Sequence, residues 1–171
     1  MPTLKSKQFI LRSYRDTDAK DIAKNINNLK VSRYMTHVPY PYSLKDAKAF
    51  LQRIKAKNKK GLKVSLAIAV GKEVVGGITL MAIAKGHKAE MGYWLAEKLW
   101  SRGIMSEAVK KVVKYAFGKL KLKRVCAYVM IPNKGSQKVL VKAGFKKEGL
   151  LKKHGRKDGK FLDMYIYGKT K

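Results

Sequence analysis

The sequence predicts a mixed α/β (α+β) domain, one sheet covered by helices. Three observations carry this. Segment type changes along the chain as strand, helices, three-strand meander, helix, strand, helix and a closing pair of strands. The 171 residues are 46% apolar, enough to bury roughly two-thirds of the unfolded surface with neither disulfide nor metal. The crossover from Leu95 through a helix to Arg124 makes the fourth and fifth of seven strands parallel. Sheets of this kind tend to open into a ligand crevice at such a place.

Gln8 to Ser13 is the first strand, and the cluster Arg15-Asp-Thr-Asp18 closes it. Asp16 or Thr17 can cap a helix running to about Asn27, with Ala19, Ile22, Ala23 and Ile26 on one face. A short helical turn covers Leu29 to Tyr34. Pro39 and Pro41 then forbid regular helix and hold Tyr40 and Tyr42 in an extended loop. Ser43 with Asp46 resembles a capping box, opening a helix to about Lys60 that Gly61 stops. Lys63–Val70 and Glu73–Met81 form a hairpin about Gly71-Lys72, and Lys88–Leu95 completes the meander. Met105, Ala108, Val109, Val112, Val113 and Ala116 mark a helix to Phe117 or Leu120, and Lys123–Met130 is a buried strand. Pro132-Asn133 starts a helix ending at Gly144, with Phe145 packing back on it. Two strands, Lys146–Lys153 and Lys160–Tyr167, flank a turn from Gly155 to Gly159. No repeat or domain-length linker interrupts this order, so one domain is expected over residues 1–171.

Composition excludes several classes. No apolar run approaches the roughly 20 residues that span a bilayer, and the N-terminus lacks a signal-peptide apolar region. A lone Cys126 excludes an internal disulfide, and three histidines give no Cys/His cluster for zinc. A cytoplasmic protein with no metal is expected. Forty Lys+Arg against eleven Asp+Glu give a net charge of +29. Such a field attracts nucleic acid, ribosomes or acidic substrates. The alternative is a lysine bias of the whole source organism, which thermophily explains poorly because Glu is not enriched with Lys. The lysines are spread along the chain, which favours general polyanion attraction over base reading.

The chemistry concentrates in Glu90-Met-Gly-Tyr-Trp-Leu-Ala-Glu-Lys-Leu-Trp-Ser-Arg-Gly-Ile-Met-Ser-Glu107. A strand running through a glycine turn into a helix leaves N–H groups unpaired at the positive end of the helix dipole, a ready anion site. An ordinary strand–helix connection is the alternative. Trp100-Ser-Arg-Gly-Ile-Met-Ser-Glu-Ala108 resembles the acetyl-coenzyme A pyrophosphate loop of the GCN5-related N-acetyltransferases (GNAT). Pro132 to Phe145 resembles their Asn-x-x-Ser helix ending in Gly-Phe. Glu90 to Leu95 and His37-Val-Pro-Tyr-Pro-Tyr-Ser43 are similar to the Rim-type branch, which acetylates N-termini of ribosomal proteins. The resemblance spans the chain, with four motifs in order and spacing.

The resemblance implies a seven-stranded, mostly antiparallel sheet with helices on both faces and a splay between strands four and five. It implies acetyl-coenzyme A as co-substrate, its pyrophosphate on the amides of Arg102, Gly103, Ile104, Met105 and Ser106. The pantetheine arm would pair with the edge at Leu95, Ala96 and Glu97, and Asn133 would reach that arm or simply cap its helix. Glu90 is the candidate base, or else a partner for a lysine. Ser136 is the candidate acid or thiolate hydrogen-bond donor; the position where many relatives place a tyrosine is Leu140, so thiolate protonation would involve Ser136 or water. Trp100 and Met105 also depart from the commonest loop pattern. His37, Tyr40, Tyr42 and Tyr93 would line the acceptor mouth, or else pack as a proline-fixed loop. The implied reaction is acetyl transfer to an amine, most plausibly a protein α-amine, in a monomer or homodimer. The other readings are a ribosome- or RNA-associated binding module and a small-molecule acetyltransferase.

Overall fold

The computed structural model describes residues 2–59 and 63–171. Eight strands form one sheet in the order β1-β2-β3-β4-β5-β6-β8-β7. They are β1 (Leu4–Lys5), β2 (Ile10–Ser13), β3 (Val64–Val70), β4 (Glu73–Ala84), β5 (Lys88–Leu95), β6 (Arg124–Met130), β7 (Lys146–Lys157) and β8 (Lys160–Thr170). Every pairing is antiparallel except β5 with β6. The eighth strand is the two-residue β1, too short to leave a periodic signal. The final hairpin turns at Asp158-Gly159, and both of its strands are longer than the sequence suggests.

The helices are α1 (Ala19–Ile26), α2 (Leu29–Ser32), α3 (Leu44–Lys59), α4 (Ile104–Gly118) and α5 (Lys134–Lys142). Neither Asp16 nor Thr17 makes the first cap. Asp18 does that work, accepting from the Arg15 amide at 2.8 Å while Arg12 holds both its oxygens. The pairing satisfies a carboxylate that is only 4% exposed, whereas Asp16 faces solvent and meets Lys55. At α3 the capping box is reciprocal: the Ser43 amide donates to Asp46 at 2.8 Å and the Asp46 amide to Ser43 Oγ at 3.2 Å. The expected stop at Lys60-Gly61 lies outside the described residues. After α5, Gly144 takes φ +83° and the Phe145 amide returns to Leu140 O at 3.0 Å.

Strand alternation sorts side chains to two faces. Met91 and Leu95 join Leu66, Ile78, Leu80, α4 and α5 in the larger core, with Tyr93 packed against it. Trp94 instead joins α1, Val31 of α2, Tyr42, and Ala47 and Leu51 of α3. Helices thus cover both faces. Burying Leu66, Ile78 or Leu80 contributes roughly 1.5–3 kcal/mol apiece, which fixes β4 and the register it imposes on β5.

Candidate active site

The parallel pair separates almost as soon as it forms. β5 and β6 pair only at Lys88–Arg124, Ala89–Val125 and Glu90–Cys126; beyond these the strands part. A cleft of about 1610 Å³ fills the gap and continues toward α2 and α3. The Ala96 amide donates to Val75 O at 2.8 Å, on the β4 side. Alternation therefore turns the main-chain groups of Met91, Tyr93 and Leu95 toward the side that β6 has vacated. The available edge is Met91 to Leu95, displaced from the expected Leu95 to Glu97. Leu95 O is already engaged by Trp100 Nε1 at 2.8 Å, which gives the departing loop residue a positioning role that sequence reasoning missed.

The glycine turn lies along the same cleft. Ser101 (φ 63°) and Gly103 (φ 77°) are both left-handed, and a Cβ built on Gly103 meets nothing within 4 Å. Gly103 caps α4 without any side-chain hydrogen bond. The amides of Ile104, Met105 and Ser106 precede the first i→i−4 bond, which runs from the Glu107 amide to Gly103 O. Gly103, Ile104, Met105 and Ser106 line the cleft; the Arg102 side chain is exposed and lies outside its lining. The unpaired amides suit a phosphate oxygen, and open space over Gly103 admits one.

Across the gap, α5 supplies Asn133 and Ser136. Asn133 Oδ1 accepts from the Ser136 amide at 3.1 Å, so it caps the helix. Ser136 Oγ is 2.8 Å from Tyr93 Oη, in a hydrogen bond that either hydroxyl can donate. Tyr93 was expected beside the acceptor. Alternation instead turns it away from Glu90, to the α4–α5 face, and burial pushes its phenol well above the usual tyrosine range. No tyrosine follows Asn133 at the spacing many relatives use, yet one reaches Ser136 from β5. Only register could have revealed this, because the two residues are 43 apart.

Glu90 lies on the opposite face, at the last paired position before the splay. Each remaining carboxylate except Asp158 has a hydrogen-bond or ion-pair partner. Asp158 is in the β7–β8 turn, so Glu90 is the one cleft-lining carboxylate without a partner among the described residues. The alternative of a lysine ion pair at Glu90 is therefore not realised. Burial raises its carboxyl above the ordinary glutamate range, while the charges of His154, Lys63 and His37 hold it partly down. Cys126, opposite Glu90, is 8% exposed, and burial raises its thiol.

His37 and Tyr42 line the acceptor side of the cleft; Tyr40 is 54% exposed and outside the lining. Ala96 and Glu97 also lie outside it. Ala96 is buried, and the Glu97 carboxylate is bound by Lys30 at 2.6 Å and Asn28 at 2.8 Å. His154, stacked on Tyr128 with ring centroids 4.4 Å apart, is a cleft residue that no local motif signals.

The acetyltransferase (GNAT) domain family matches residues 8–146. The chain is 34% identical to the uncharacterized N-acetyltransferase YoaA of Bacillus subtilis (strain 168), over 99% of this chain and 97% of that one. It is 31% identical to the [ribosomal protein uS5]-alanine N-acetyltransferase of Escherichia coli (strain K12), over 58% of this chain and 52% of that one. Among solved structures it resembles RimL, the ribosomal L7/L12 alpha-N-protein acetyltransferase in complex with coenzyme A. That likeness has a TM-score of 0.89 and 20% identity, covering 99% of this chain and 98% of that one.

Proposed function

The chain belongs to the acetyltransferase (GNAT) domain family, whose members are acetyl-coenzyme A-dependent N-acetyltransferases, and we propose that its acceptor is a protein N-terminal α-amine. One observation carries the reading: the strand edge, the unpaired α4 amides and the unpartnered Glu90 converge where β5 and β6 part.

Acetyl-coenzyme A supplies an activated acetyl thioester. Ile104, Met105 and Ser106 offer amides to its pyrophosphate, and the Met91–Leu95 edge offers main-chain groups to the pantetheine arm. N–H groups on that edge polarise the acyl carbonyl. Glu90, reaching from the other face, accepts the amine proton directly or through water. Burial raises its pKa, which makes the carboxylate a stronger base than an ordinary glutamate. Ser136 donates toward the departing sulfur in a hydrogen-bond relay with Tyr93, whose buried phenol stays protonated, and the proton the thiolate finally takes comes from water and balances the one the amine lost. The new bond joins the amine nitrogen to the acyl carbon, the carbon–sulfur bond breaks, and coenzyme A leaves as a thiol.

Amine acidity supports the α-amine. With reference values of about 7.7–8.0 for an α-amino group and about 10.4 for lysine, the neutral fraction at pH 7 differs by two to three orders of magnitude. One moderately basic carboxylate suffices for the first. The E. coli relative's ribosomal-protein substrate and the sequence's basic surface support a cytoplasmic, ribosomal-protein acceptor. The same positive field opposes polyamine acceptors. Thiol release from acetyl-coenzyme A should therefore rise with N-terminal peptides well above its rate with free amino acids or polyamines at equal concentration. Preference for either small-molecule class would overturn the protein-acceptor reading.

A further inference from the structure

The acceptor end of the cleft carries charges that acetyl transfer itself does not need. Register places Val64 opposite Leu80 and Met81 opposite Glu90, so Lys63, Met81 and Glu90 succeed one another across β3, β4 and β5. Neighbouring strands are about 4.8 Å apart, which puts Lys63 about 10 Å from Glu90 on the same face. Arg53 and Lys57 on α3 line the cleft beside Lys63. None of the three has an ion-pair partner among the described residues. Asp46, on the same helix as Arg53, offsets part of its charge but is itself bonded to Ser43. Burial first, and then repulsion from Lys57 and Arg53, lowers the Lys63 pKa, with the charge of Glu90 partly opposing the shift.

Trp94 lies two residues beyond Gly92 on the Glu90 face, lines the cleft and is 7% exposed. Its Nε1 is buried, and the Tyr14 hydroxyl interacts with it. Tyr14 Oη shares this corner: a Cβ at Gly77 would collide with it and come within 2.7 Å of Trp94 Nε1.

We infer that this end of the cleft selects acceptors bearing an anionic group about 10 Å from the amine, received by Lys63, Arg53 and Lys57 while the amine meets Glu90. Resting on the protein-acceptor reading, this names the substrate class as N-termini with Asp or Glu at the second or third residue. An extended chain advances about 3.3 Å per residue, so a side chain at either position spans the gap. The amine is drawn to Glu90, the one cleft-lining carboxylate without a partner among the described residues, and the acid to the three cations on its Lys63 side.

The test compares peptides identical except for Glu, Gln or Lys at the third residue, with acetyl-coenzyme A saturating. The expected kcat/KM order is Glu over Gln over Lys, with Glu ahead of Gln by about tenfold, equivalent to about 1.4 kcal/mol. Arg53→Glu, an exposed helix position, should invert the order of the Glu and Lys peptides. Lys110→Glu, on the exposed face of α4, should leave the order unchanged. Equal rates for the three peptides, or equal shifts from both substitutions, would overturn the subsite while leaving protein N-terminal acetylation in place. Turnover of small amines bearing a carboxylate or phosphate, with none of the peptides used, would overturn the protein acceptor and keep the subsite.

Discussion

Glu90 and Tyr93 leave opposite faces of β5, Tyr93 to meet Ser136 of α5, and the roles proposed for Glu90 and Ser136 depend on these neighbours. The Glu90 carboxyl, raised by burial, must be ionised to accept a proton. Activity is therefore expected above its pKa and lost as pH falls through it, at a pH higher than an ordinary glutamate would give. Glu90→Gln should lower kcat about 100-fold and remove that acid limb, with coenzyme A affinity unchanged; a retained limb would assign it to another group. Tyr93→Phe should lower kcat about tenfold through Ser136 while sparing coenzyme A affinity, and full turnover would exclude the relay. That Glu90 and Ser136 lie along one cleft was legible in the sequence, from a strand leading into the splay and a helix opening at Asn133. The Tyr93–Ser136 contact was not, because pairing across 43 residues leaves no local pattern.

At the level of elements, α4 and the turn before it present unpaired amides to the cleft. Gly103, at φ 77° with open space above it, permits a close approach by an anion. Gly103→Glu puts bulk and negative charge there and should weaken coenzyme A binding by tenfold or more in calorimetric titration. Gly103→Ala carries similar backbone strain, about 1–2 kcal/mol, without the charge, and should retain most affinity. Equal affinity for wild type and Gly103→Glu would remove the turn from the binding site. The turn was legible because Gly103 interrupts an apolar strand and an amphipathic helix begins at once. Its neighbouring edge was misplaced by a few residues. Which strand groups face the gap depends on the Ala96–Val75 and Trp100–Leu95 bonds, and both are long-range choices invisible to periodicity. The cap of α1 was misassigned for a similar reason, since Arg12 selects Asp18 over Asp16 by pairing with it.

On the scale of the whole molecule, sheet topology and charge act together. The β5–α4–β6 crossover forces one parallel pair into an otherwise antiparallel sheet, and that pair parts after three residues. This architecture could be read from element order, whereas the length of the paired segment could not. Of the eleven carboxylates, most are spent on internal partners, so the +29 charge faces solvent and the cleft largely uncompensated. Such a field attracts acidic partners and repels polycations, and the proposed α-amine acceptor is the one more often neutral at pH 7 than a lysine side chain. The most direct measurement is mass-spectrometric localisation of the product on a peptide carrying both a free N-terminus and an internal lysine. After incubation with the protein and acetyl-coenzyme A, a single acetyl group on the α-nitrogen is expected, with the lysine unmodified. Acetylation of the lysine in preference to the α-amine, or no acetylated peptide at all, would contradict the account.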